Sequence, residues 1–183
     1  ATDVTIANSI FAESLLPHSK CVLLGSDPTA PQKISFWQNA CLSNNDRNPD
    51  VNHFGGSCIE IVNNVFFNAH SEWVEVFSQF PGGTPVAIVG NYFKAGRATQ
   101  RETHIIAWQS EGAKAPPKIY AKDNVAWAPD NKTISMFAPD SIQLESLEPP
   151  CPLTLPVTAA DDVYQTVRSK AGAFPRDAID DGL

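Results

Sequence analysis

Residues 44–56 read NNDRNPDVNHFGG, with a single arginine, Arg47, set among turn formers directly after an apolar run. Asn45, Asp46, Asn48, Pro49, Asp50 and Asn52 mark the segment as a loop. A guanidinium there can brace the loop by pairing with Asp46 or Asp50, or it can present a fixed cation to an acidic ligand. Lys20 is the second cation of interest. It stands directly before the strand-like CVLLG and offers a compact point charge. The plain alternative is a surface lysine at a strand start. His18, Asn45, Asp46 and His53 are weaker candidates, because loop polar residues are more often incidental.

The bulk properties narrow the chemistry. The chain has 183 residues, 43% of them apolar, which suits one domain with a real core. A formal charge of −7 argues against nucleic acid as a partner, so an acidic ligand needs a local basic patch or a bridging cation. No apolar run is long enough to span a membrane, and no signal peptide is visible. The first residue is Ala1, not methionine, so a processed chain or a fragment is expected. The four cysteines, Cys21, Cys41, Cys58 and Cys151, allow three complete pairings. Buried unpaired thiols are at least as good an expectation as a disulfide framework. No CxxC or Cys/His spacing points to zinc.

The elements that must position these residues come from a repeat. VTIANSIF (4–11), ISFWQNAC (34–41), IEIVNNVF (59–66), VAIVGNYF (86–93) and IYAKDNVA (119–126) align. Positions one and three are apolar, position six is Ser9, Asn39, Asn64, Asn91 and Asn124, and position eight is Phe11, Cys41, Phe66, Phe93 and Ala126. Each unit reads as a short alternating strand followed by a bend. One such strand cannot bury its apolar side alone, whereas stacked copies build a continuous core and parallel sheets. The recurrent asparagine suits a left-handed bend, and stacked amides could also bond one another. The expected fold is all-β, a right-handed parallel β-helix of about five coils, set against a β-sandwich whose strands would recur every ~8–12 residues. The expected organisation is one domain over 1–183, with coils to about 130 and a proline-rich tail from about 131. The segment 159–173 reads as a helix, with Asp161 and Asp162 near its start and Lys170 and Gly172 near its end. Long loops at 67–85 and 94–118 leave the coils and would build a groove.

The segments VTIANSIFAESLLPHSKCVLLGS, ISFWQNACLSNNDRNPDV, IEIVNNVFFNA, VAIVGNYFKAG and AGAFPRDAIDDG together resemble the second half of a pectate lyase of polysaccharide lyase family 1. The resemblance implies a right-handed parallel β-helix, secretion, and calcium-assisted β-elimination on polygalacturonate. It implies that Arg47 is the catalytic base and that Lys20 binds a substrate carboxylate. It places Pro49 as the loop-shaping proline. Asn52 stands where the family often carries a second arginine. With His18, these complete the expected substrate-binding set: Lys20, Asn52, His18 and Pro49. The family's acidic calcium ligands lie upstream of residue 1, so no metal ligand is assigned in this chain. An open end there would be covered by a second chain, a second copy or a retained fragment. A non-catalytic polysaccharide-binding β-helix and half of a two-chain enzyme are the alternatives.

Elimination requires a base for the proton beside the carboxylate and positive charge to hold the carboxylate as negative charge builds. An arginine base is chemically demanding, because its reference pKa exceeds 12 and only nearby like charge favours the neutral form. Trp73, Trp108 and Tyr92 could stack on sugar rings, but aromatics beside strands more often pack the core. Arg97 and Arg101 could contact acidic sugars or balance Glu102 and Glu111.

Overall fold

The computed structural model describes residues 3–25 and 28–182. Five rungs of three strands follow one another along the chain. The first holds β1 (Val4–Ala7), β2 (Ile10–Ala12) and β3 (Leu23–Leu24), and the second β4 (Lys33–Trp37), β5 (Ala40–Leu42) and β6 (Asp50–Asn52). The third holds β7 (Cys58–Val62), β8 (Val65–Phe67) and β9 (Val74–Phe77), and the fourth β10 (Pro85–Val89), β11 (Tyr92–Lys94) and β12 (Glu102–Gln109). The fifth holds β13 (Lys118–Lys122), β14 (Val125–Trp127) and β15 (Thr133–Phe137). Equivalent strands pair in parallel into three five-stranded sheets, ordered β1-β4-β7-β10-β13, β2-β5-β8-β11-β14 and β3-β6-β9-β12-β15. This is a parallel β-solenoid.

The aligned apolar positions are the register itself. Val4, Ile34, Ile59, Val86 and Ile119 are successive partners in the first sheet. Phe11, Cys41, Phe66, Phe93 and Ala126 are partners in the second. Within the core Phe66 stacks on Phe93 with centroids 4.8 Å apart, and Trp73 meets Phe93 edge-on. Trp73 is thus a buried core residue and not a sugar platform.

The bend between the first two sheets divides its work between two residues. The left-handed conformation falls on the residue before the recurrent asparagine: Asn8, Gln38, Asn63, Gly90 and Asp123 all have φ between 52° and 62°. The recurrent asparagine itself forms the ladder. Asn39, Asn64 and Asn91 each donate both backbone N–H and side-chain amide to the side-chain oxygen of the next asparagine, ending at Asn124, at 2.9–3.2 Å. The first rung joins through Ser9 N–H, which donates to Asn39 Oδ1. A second amide proton of Asn39, Asn64 and Asn91 goes to a strand carbonyl on the rung before.

The cysteines are paired, Cys21 with Cys41 and Cys58 with Cys151, which decides between the two alternatives in favour of disulfides. The spacing held no signal for this, because Cys58 and Cys151 are 93 residues apart and meet only when the tail folds back. That tail is tied to the third rung. Thr154 donates from its backbone and hydroxyl to the buried Glu60, and Asn63 exchanges two hydrogen bonds with the backbone of Thr158. It continues into α1 (Ala160–Lys170), whose Val163 and Val167 pack on Ala40 and Val65 of the second sheet. Among the described residues no helix is long and apolar enough to cross a membrane.

Candidate active site

The loop between β5 and β6 carries Arg47 and is stapled on both sides. Toward the first rung, Asn45 N–H donates to Ser19 carbonyl at 2.8 Å, and Val22 N–H donates to Arg47 carbonyl at 3.0 Å. Toward the third, Asn48 N–H donates to Trp73 carbonyl at 2.8 Å, and its side chain donates to Glu72 carbonyl at 3.0 Å. The Cys21–Cys41 disulfide ties the preceding strand to the Lys20 segment. Pro49 follows a cis bond to Asn48 and offers its carbonyl to Glu75 N–H. Arg47 is held at φ 53°. Of the eight other described non-glycine residues with positive φ, four sit at that bend and three, Glu13, Ser43 and Asn68, directly follow β2, β5 and β8, whereas Arg47 sits outside both sets, in a conformation that disfavours branched or bulky side chains.

Lys20 and Arg47 come together on adjacent rungs. Lys20 forms a parallel bridge with Asp46, and its ammonium pairs with the Asp46 carboxylate. Arg47 Nε lies 3.0 Å from Asp50 Oδ2, the loop ion pair that its neighbours in sequence foreshadow. The exposures of the pair are lopsided: the Arg47 side chain is 39% exposed and that of Asp50 only 3%. A buried carboxylate therefore anchors a cation whose far side faces solvent.

Beneath these cations lies an acidic strip that sequence reasoning missed. In β6 and β9, Val51, Val74 and Val76 fill the core, so Asp50 and Glu75 project from the outer face. Asp50 and Glu75 are register partners, about 4.8 Å apart along the sheet, and both are buried. Glu75 Oε1 accepts from Gln109 Nε2 of the next rung at 2.6 Å. Burial lifts the Glu75 carboxyl to about 8, helped by its bond to Asp50. Burial raises Asp50 to about 6, opposed by the bond from Glu75 and the Arg47 charge. Glu72 is raised to about 7, first by burial and then by the Glu75 and Asp46 charges. Asp46 Oδ1 and Asp50 Oδ1 are buried and meet no N–H donor. Burial thus favours the protonated form at Asp50, Glu72 and Glu75. The recoverable signal was the alternation V-E-V in VEVF, which puts a glutamate one rung from Asp50 on the same face.

The remaining expected residues part company. Asn52 shares the outer face with Asp50, but its amide is engaged with Gln79: it donates to Oε1 at 2.9 Å and accepts the Gln79 N–H at 3.0 Å. His18 is exposed on the loop before Lys20. His53 is fully buried against Gly25, where an added Cβ would fall 2.2 Å from its ring, and burial favours its neutral form. The four carboxylates do not fit a calcium ion. Two are taken by Lys20 and Arg47 and one by Gln109, and among the described residues no three acidic, histidine or cysteine side chains converge on a metal position.

Comparison with known proteins points the same way as the fold. The chain is 31% identical over 99 residues to a probable pectate lyase C of Neosartorya fischeri, a match covering 54% of this chain and 22% of the relative. It is 33% identical over 98 residues to a probable pectate lyase C of Aspergillus flavus, again 54% of this chain and 22% of the relative. The match spans about a fifth of the length of these curated relatives. No family model matches, and no solved structure matches significantly. The solenoid and these relatives together describe a pectate lyase-like β-helix.

Proposed function

We propose that this chain carries the base and the carboxylate-binding lysine of a polygalacturonate lyase. The observation that supports the reading best is the placement of Lys20 and Arg47 on neighbouring rungs, each fixed by a carboxylate at its base. In the proposed reaction a galacturonate carboxylate docks against the Lys20 ammonium, which neutralises charge as the adjacent carbon loses its proton. Arg47 takes that proton. The C–H electron pair becomes the new double bond, and the glycosidic oxygen departs with its bonding pair and is protonated from solvent. Calcium, when bound, would bridge substrate carboxylates and withdraw charge.

A second reading has its own support. Arg47 Nε is engaged by the buried Asp50 carboxylate, an ion pair that braces the loop and leaves the rest of the guanidinium to hold an acidic ligand. On that reading the same strip binds acidic polysaccharide without cleaving it. The two separate by following the ultraviolet absorbance of the new double bond during incubation with polygalacturonate, first with calcium and then with chelator. A rise that stops with chelator supports the calcium lyase. Retention of polygalacturonate with no rise supports the binder.

A further inference from the structure

The outer face of the second sheet carries a second concentration of positive charge. The last residues of β2, β5, β8, β11 and β14 stack in register as Ala12, Leu42, Phe67, Lys94 and Trp127. Helix α1 crosses this face and leaves a cavity of about 350 Å³, with an apolar floor that includes Leu42 and Val65. Among the described residues its charged lining is Lys94, Arg168 and Arg176 against Asp181. The Lys94 ammonium lies 5.2 Å from the Trp127 ring centre and 5.8 Å from those of Phe67 and Tyr164. Arg176 is held in place by donating to the carbonyls of Arg168 and Ala171 at the end of α1.

Among the described residues neither Lys94 nor Arg168 joins an ion pair. Aromatic faces attract an ammonium but do not cancel its charge, and they strip part of its water. Among the described lining residues the cations therefore outnumber the carboxylates by two, in a hollow of a chain that is −7 overall. Aromatic and apolar walls with a few convergent cations suit a ring-shaped ligand with one apolar face and a carboxylate. The volume is that of an ordinary small-molecule site, ~300–1,000 Å³.

We propose that this cavity is a second saccharide site that binds a uronate-bearing oligosaccharide through Lys94 and Arg168, separate from the Lys20–Arg47 strip. The uronate identity rests on the polygalacturonate reading above, whereas the anionic, ring-bearing class rests on the cavity alone. The test is calorimetric titration of the whole chain with a galacturonic acid dimer, in chelator, alongside Trp127 fluorescence. Saturable, salt-sensitive binding is expected. Lys94→Met should weaken it at least tenfold, and Lys94→Arg should restore most of it. Three results overturn the proposal: no binding by the native chain, equal binding by the folded Lys94→Met variant, or equal binding of a neutral galactose dimer. Lys94-dependent binding by a protein that never produces the double bond would retain the cavity and remove the lyase.

Discussion

The asparagine ladder and the acidic strip are both buried rows of polar side chains running along the solenoid, and they differ in how their hydrogen bonds close. In the ladder Asn39, Asn64 and Asn91 are fully buried and every amide atom has a partner. An amide carries both donors and an acceptor, so identical residues stacked on successive rungs satisfy one another. Stacked carboxylates cannot do so, because ionised they only accept. The strip of Asp46, Asp50, Glu72 and Glu75 instead recruits Lys20, Arg47 and Gln109, and burial raises the carboxyls of Asp50, Glu72 and Glu75. A row that satisfies itself reads as scaffold. A row kept in tension by neighbouring charges, with a cation half-exposed above it, reads as a site.

Substitutions on the two rows should separate them. Arg47→Lys is expected to have the largest effect, a loss of at least ~100-fold in double-bond formation on polygalacturonate, with the thermal midpoint nearly unchanged. A variant that keeps full turnover would move Arg47 from the reaction to loop bracing. Asn64→Leu comes next and acts on stability alone. It strands the Asn39 N–H and the Phe36 carbonyl in the core and should cost about 3 kcal/mol in urea unfolding. Less than ~1 kcal/mol would mean that water replaces the lost rung.

Asn52 tests which row it belongs to. If its amide serves Gln79 alone, Asn52→Leu should lower stability by ~1 kcal/mol and leave KM for polygalacturonate where it was. A several-fold rise in KM would return it to the substrate-binding set.

The smallest effect concerns pH. Asp50, Glu72 and Glu75 bind protons more tightly folded than unfolded, so the folded chain holds more protons between their ordinary values and about 6, 7 and 8. Stability should therefore fall as pH rises from about 4.5 to about 8 and level off above. Glu75→Gln removes the highest of these titrations while keeping a partner for Gln109. It should flatten the upper part of that slope, raising the melting temperature at pH 8 by ~2–4 °C, the shift that ~1 kcal/mol produces in a chain of this length. An unchanged slope would mean that Glu75 is ionised in the native state.

The repeat, its register and the asparagine ladder were legible because each is written once per rung at fixed offset, and stacking converts equal sequence positions into contacts. The helix over 160–170 was legible from local charge and capping. The pairing of Arg47 with an adjacent aspartate was also legible, since the partners are three residues apart. The left-handed residue of each bend was displaced by one from its expected place. Two consecutive polar residues share that bend, and propensity does not say which takes the positive φ and which the ladder.

Three features were decided by tertiary structure alone. The Cys58–Cys151 bridge depends on a tail that returns along the solenoid across 93 residues. Glu72 and Glu75 reach Asp46 and Asp50 only through the rung spacing, because loops of unequal length separate equivalent strands by 25–33 residues and hide the contact from any local pattern. Burial then decides charge. A glutamate's sequence neighbours do not say whether it will be covered, and that covering raises the Glu75 carboxyl, whereas the Arg47 side chain stays 39% exposed.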